Sequence, residues 1–370
     1  MKIKFNEKAT YLYDFCMFPK LLYVDPDELY KLNDVIGDEV MNTFTDHESH
    51  IEFVKNAKKD LEPYKDPLLG FYADEAISNY DFPSLLFRSY SFLNYDTYKD
   101  YLKMIMQDDE ETIKTNLIYG LITVENNDDD ISDAKARIDA EYLRDHREEL
   151  LKLIRQTPTT ENHRWILMLL IENPIDYLEV YIDLLEKIEP IFNKYYQEHA
   201  KKLDHFKDDV IASLQKGSVE AFESLTYNIV PSDVLEDTNI VITSIVNPYR
   251  FSIMSFGDDK TILWGLDMKA GFKKIAEFEQ DSRKNRAKVF KTLSDETRYE
   301  VLRLLANGIT STKEIATSIG VSSATVTYHI NAFLTAKVIK VVKSKKAKYV
   351  VDYERLENLW QDFLKDLKEQ

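Results

Sequence analysis

Cysteine is nearly absent from this sequence: Cys16 is the only one in 370 residues. A single thiol excludes an intramolecular disulfide framework and fits a reducing compartment. Its expected role is to fill space on the apolar face of an early helix. Glycine and proline are scarce too, at nine and ten residues. That argues against long loops and repetitive β-structure and favours helix. No run of about eighteen uncharged apolar residues occurs, so no membrane-spanning helix and no membrane partner are expected. The stretch Met1 to Asn6 lacks the basic-then-apolar layout of a secretory signal. A cytoplasmic protein is expected.

Catalytic signatures are missing as well. No HExxH, CxxC, GxSxG, Walker or GxGxxG pattern is present. One cluster, Asp46-His47-Glu48-Ser49-His50, holds nominal metal ligands with its histidines three apart. An acidic solvated helix face carries such residues by chance, so neither a metal site nor a cofactor is expected, and no enzyme.

What the chain does contain is charge, unevenly spread. The whole sequence is −17. From Asp281 to Gln370, 17 Lys and Arg face 11 Asp and Glu, a net +6; Met1 to Gln280 carries 31 against 54, a net −23. A basic module on an acidic body points to a polyanionic partner for the module alone. Length predicts two or three domains. The fold class expected is mainly α (α+β): a helical N-terminal domain with a small antiparallel sheet, and a separate C-terminal module.

Residues 2–6 alternate as a short strand. From Glu7 to Thr226 the pattern is mostly helical. Asp96 to Gln107 places Tyr98, Tyr101, Leu102 and Ile105 at helical spacing. Ile131 to Gln156 predicts one long helix, with Ile138, Tyr142, Leu150 and Ile154 apolar. Asn173-Pro174 marks a break. Ile188 to Leu214 carries a continuous apolar stripe over about seven turns, with Pro190 tolerable in a first turn. It reads as a bundle helix or, alternatively, a dimer-forming one. Asn126 to Asp130 reads as an exposed acidic loop. Ile240–Val246, Phe251–Phe256 and Thr261–Leu266 predict short antiparallel strands. The domains are therefore 1–230 (helical, for effector binding or dimerisation), 231–280 (small β element and linker), 281–352 (basic module) and 353–370 (amphipathic helix).

Within the basic module, Arg286 to Leu293 predicts a short helix. Ser294-Asp295 caps the next, Glu296 to Ala306, and Asn307-Gly308 ends it. Ser311-Thr312 caps Lys313–Ile319, Gly320 turns the chain, and Ser322 caps Ser323–Leu334. At 100° per residue, Val326, Ile330 and Phe333 share one face, leaving Ala324, Thr327, Tyr328 and Asn331 outward. Helix, glycine turn and a second helix opening with small polar residues form a helix-turn-helix layout. Small side chains let the helix approach base edges, and hydroxyls can donate or accept there. Residues 338–352 then read as a hairpin with Lys340, Lys343, Lys345, Lys346 and Lys348 and no acid before Asp352. Such a tip suits phosphate contact; a lysine-rich edge strand also blocks aggregation.

Residues 289–351 resemble the ArsR-like winged-helix regulators. The resemblance rests on Leu293-Ser294-Asp295-Glu296-Thr297-Arg298 with Val301-Leu302, on Lys313-Glu314-Ile315-Ala316, and on Val321 to Ile330. It implies a homodimer on palindromic double-stranded DNA, usually a repressor. Ser323, Ala324, Thr327, Tyr328 and Asn331 would face bases, with His329 at the rim. Thr312, Lys313, Ser322 and Thr325 would join the lysines at phosphates. Three features depart from the family pattern. No cysteine stands near Glu314-Ile315-Ala316, which removes the soft ligands for metal sensing. Lys337 stands where glycine is frequent. About 280 residues precede the module, a large N-terminal extension in which a small-molecule effector is expected. Two alternative readings are a winged helix that contacts only protein, and an enzyme fused ahead of it.

Overall fold

The computed structural model describes residues 3–26, 47–73, 80–130, 132–235, 238–256, 259–280, 282–341 and 349–368. Among the described residues the protein is mainly helical with two small sheets. It divides into two compact units, one within residues up to Lys273 and one from Lys274 onward.

In the first unit, β1 (Lys4–Phe5) leads into α1 (Glu7–Met17), capped by the Asn6 side chain accepting from the Ala9 N–H. The helices α2 (His47–Leu61), α3 (Phe82–Ser89), α4 (Tyr98–Ile105) and α5 (Glu110–Asp130) follow. Then come α6 (Asp133–Asp145), α7 (Arg147–Gln156), α8 (Glu161–Glu172) and α9 (Pro174–Glu198). The unit continues with α10 (Ala200–Phe206), a π-helical turn (Lys207–Ile211), α11 (Ala212–Thr226), β2 (Ile240–Ile242), β3 (Phe251–Phe256), β4 (Asp259–Trp264) and the start of α12 (Met268–Gln280).

Aromatic packing supplies much of this core. Phe15, Phe18 and Phe192 are fully buried, with ring centroids 5.2–5.3 Å apart around Phe192. Each such side chain contributes on the order of 2–3 kcal/mol by leaving water. Trp264 is enclosed by Phe222, Phe251 and Phe272. Gly120 permits the crossing of α3 and α5, since a Cβ there would lie 2.5 Å from the Leu85 carbonyl oxygen. Cys16 is buried on α1, as its setting in the sequence predicts.

Several expectations are corrected. The sheet runs β1-β2-β4-β3 and is mixed: only β3 and β4 pair antiparallel, whereas β2 pairs parallel with both β1 and β4. Strand propensity marks the strands but not their partners, and β1 comes from the far end of the unit's sequence. The helix expected over 131–156 is two helices, because His146 leaves helical geometry (φ −123°, ψ 73°). Ile138 and Tyr142 are solvent-facing, at 65% and 52% exposure, while Leu150 and Ile154 are buried. The stripe from Ile188 to Leu214 is buried at 188, 192, 195, 203, 206, 210 and 214, but four elements carry it: α9, α10, the π-helical turn and α11. Pro190 sits inside α9, not in a first turn. A proline deletes one hydrogen bond, and the buried Leu185, Ile188 and Phe192 keep the helix together around it. The acidic run 126–130 forms the end of α5, with α6 starting three residues beyond it, at Asp133.

In the second unit, α13 (Ser282–Leu293), α14 (Glu296–Ala306), α15 (Thr312–Ile319) and α16 (Ser323–Thr335) precede β5 (Ile339–Val341), β6 (Tyr349–Val351) and α17 (Tyr353–Lys368). Val289, Val301, Leu305, Ile315, Val326, Ile330, Phe333 and Leu359 are central to one core. Arg286 pairs with Asp366, joining α13 to α17. β5 and β6 pair antiparallel, Ile339 opposite Val351.

Candidate nucleic-acid interface

The turn between α15 and α16 is set by three residues. Gly320 adopts φ +73°, a left-handed conformation that ends α15, and its N–H donates to the Ala316 carbonyl over 2.9 Å. A Cβ would meet nothing within 4 Å there, so the preference for glycine is a backbone one. Ser322 then caps α16 in extended geometry, its Oγ accepting the Thr325 N–H over 3.0 Å. At the other end of the motif the Ser311 Oγ accepts the Glu314 N–H over 3.3 Å. These caps fix where each helix starts and therefore which residues face outward.

Val326, Ile330 and Phe333 are buried, as the periodicity predicts, so the opposite side of α16 is the accessible one. Ala324 and Tyr328 are exposed, and Ser323, Thr327 and Asn331 are half-buried. The Thr327 hydroxyl donates to the Ser323 carbonyl over 3.0 Å, leaving its methyl and an oxygen lone pair for other contacts. Lys313 and Ser322 are exposed and Thr325 is half-buried. Thr312 is 5% exposed, so Lys313 presents the side-chain surface at the start of α15. Lys340 is exposed and lies 3.4 Å from Asp352. Lys343, Lys345, Lys346 and Lys348 lie outside the described residues.

Arg298 has no assigned role in the sequence reading, yet it joins the outward face of α16. It stands in the first turn of α14, where its N–H donates to the capping Asp295 carboxylate over 2.8 Å. Its guanidinium donates to the Tyr328 hydroxyl and to His329 Nδ1, and stands 5.4 Å from the Tyr328 ring centre. His329, expected at the rim, is 7% exposed. Burial, with the Arg298 charge second, holds its imidazole below the usual 6.5. Neutral at neutral pH, the ring can accept from Arg298. The one sequence hint was a basic residue three positions after a helix cap. Nothing local tells that it reaches a residue thirty positions away.

The acidic histidine cluster has a different fate. His50 is buried against Phe53, and burial pushes its pKa down to about 3. Among the described residues no group of three His, Cys, Asp or Glu is arranged to hold a metal. No helix among them is long and apolar enough to cross a membrane.

Residues 293–342 match the family model described as a helix-turn-helix domain. The match spans α14 to β5 and includes the Gly320 turn, so the chain carries a C-terminal helix-turn-helix domain. Comparison with curated proteins and with solved structures gives no match.

Proposed function

We propose that this protein is a sequence-specific, double-stranded-DNA-binding transcription regulator of ArsR-like type. The observation that carries the reading is the outward face of α16, where small and hydroxyl-bearing residues stand beside Tyr328 and the Arg298 guanidinium. Ser323, Ala324, Thr327, Tyr328 and Asn331 read base edges. Lys313, Ser322, Thr325 and the hairpin lysines hold phosphates, and the Thr312 N–H at the start of α15 adds a main-chain donor. The module's net charge of +6 supports a polyanionic partner.

The protein acts as a homodimer in this reading. Tyr353, Trp360 and Leu367 on α17 are 62%, 50% and 61% exposed at seven-residue intervals, one stripe along the helix. Repression is the direction that the family resemblance implies. The N-terminal unit senses a small-molecule effector and carries no catalytic role.

Selection of bound fragments from a genomic library tests the reading. A shared, palindromic sequence is expected, with Thr327→Ala and Tyr328→Ala altering its preferred bases. Lys345→Glu with Lys346→Glu is expected to weaken binding to every sequence and flatten its salt dependence, by about one unit of log–log slope per lost phosphate contact. Binding to no DNA at any salt concentration would refute the proposal in favour of a protein-contact module. Unaltered sequence preference in the α16 variants would remove the base-facing assignment.

A further inference from the structure

Within the N-terminal unit a cleft of about 370 Å³ opens between the segment 201–210 and the segment 266–270. Lys201, Lys202 and Lys269 line it, with His205 and two acids, Asp209 and Asp267. Three lysines against two carboxylates reverse the local sign, since Met1 to Gln280 as a whole carries −23. The remaining wall is apolar and includes Phe206, Val210 and Leu266.

The wall is also an irregular piece of helix. Lys207–Ile211 is a π-helical turn between α10 and α11, and it contributes Asp209 and Val210. Such a turn forfeits regular helical hydrogen bonding and recurs at functional sites. Two ion pairs span the cleft: Lys202 lies 3.4 Å from Asp267, and Lys269 pairs with Asp209. Lys201 is exposed and belongs to neither pair. The volume falls at the low end of the range for small-molecule sites, about 300–1,000 Å³. It suits a compact ligand and is too small for a folded partner.

We infer that this cleft binds a small organic anion, a carboxylate or phosphate carried on a compact apolar body. Lys201 meets the anionic group first. Lys202 and Lys269 exchange part of their pairing with Asp267 and Asp209 for the ligand, and Phe206, Val210 and Leu266 cover its apolar part. Because the two pairs tie residues 201–210 to 266–270, occupancy alters how these segments are held. The regulatory meaning of this rests on the effector reading above; the binding itself does not.

Calorimetric titration of the full chain with phenyl phosphate, benzoate and benzylamine tests the inference. At least one of the two anions is expected to bind and benzylamine is not; the stronger anion decides between phosphate and carboxylate. Lys201→Glu is expected to weaken anion binding about tenfold or more, the scale of one charge-assisted contact. Lys201→Gln should fall between it and the wild type. Circular dichroism of both variants checks that the unit remains folded. Failure of both anions at millimolar concentration, equal binding of benzylamine, or unchanged affinity in Lys201→Glu would overturn the inference. DNA binding is measured separately: its absence with anion binding intact would sink the regulator reading and leave this site standing.

Discussion

The Arg298 guanidinium, in the first turn of α14, donates to the Tyr328 hydroxyl on α16 over 3.1 Å. Its Nε simultaneously donates to His329 Nδ1 over 3.3 Å. One cation therefore orients a tyrosine on the outward face of the motif and biases the neighbouring imidazole towards its neutral form. The planar fork of arginine makes both contacts from one position, which lysine cannot reproduce.

Arg298→Ala should raise the His329 pKa towards its ordinary 6.5, though only partway, because burial is the larger cause of its depression. The sign for stability follows. A histidine held below its unfolded pKa supports the fold above that value and withdraws support as pH falls through its folded value. Acidification below about 6.5 should therefore destabilise the C-terminal unit less in the variant than in the wild type. An NMR titration of the His329 ring reads the shift directly. An unchanged midpoint would remove Arg298 as a cause.

Lys337 ends α16 in a conformation that favours glycine. Its φ is +53°; its N–H donates to Leu334 and the Val338 N–H to Phe333, with Val338 and Phe333 both buried. This is the Schellman ending, with lysine in the left-handed position. A non-glycine residue there costs about 1–2 kcal/mol, partly offset by the freedom that glycine restores to the unfolded chain. Lys337→Gly should stabilise the C-terminal unit by about 0.5–1 kcal/mol. Amide hydrogen exchange across 333–338 should slow correspondingly; faster exchange would show that the lysine side chain contributes more than its backbone costs.

The sequence-readable parts of this protein were those governed by local chemistry. Ser322, Gly320 and Asp295 announce helix ends because capping involves only neighbouring residues. Val326, Ile330 and Phe333 announce a buried face through periodicity alone. Long-range pairings were not readable. β1 joins β2 across more than two hundred residues, and no alternation pattern names a partner. Arg298 reaches Tyr328 only once the helices are packed. Lys201, Lys202 and Lys269 look like ordinary solvated charges until the π turn and the 266–270 segment bring them together. The break at His146 also escapes periodicity, because a helix interrupted at one residue keeps most of its pattern on either side.

Lys20 and Asp81 form a buried ion pair, 2.9 Å apart, with side chains 7% and 0% exposed. The Lys20 ammonium also donates to the Ala73 carbonyl, and Asp81 accepts the Ala73 N–H over 2.7 Å. Removing the carboxylate strands a buried ammonium and a buried N–H together. Asp81→Ala should cost about 3–5 kcal/mol in urea unfolding of the N-terminal unit. The double variant Lys20→Met with Asp81→Ala should recover part of that loss. No recovery would mean that the stranded charge is not the main penalty.

Asp14 ties α1 to the residues that follow β2. Its carboxyl is fully buried and accepts from the Ser244 hydroxyl, over 2.5 Å, and from the Ile245 N–H, over 2.8 Å. Burial pushes its pKa up to about 7, against the pull of these donors. The native state therefore keeps a proton that the unfolded chain loses near 3.8. Stability from this group is intact at acid pH and declines as pH rises from about 4 to about 7, by on the order of 4 kcal/mol in total. Asp14→Asn cannot ionise. Its amide oxygen can still accept the Ile245 N–H, so the variant should fold with a modest loss at acid pH, about 1–2 kcal/mol from the less favourable contact with Ser244. That deficit should shrink, or reverse, towards neutrality, because only the wild type loses stability there. Urea unfolding of both proteins across this range isolates the effect in their difference, which cancels every other titrating group. Parallel curves for the two proteins would show that Asp14 is already ionised in the folded state from about pH 4, as in the unfolded chain, and that burial does not raise its pKa.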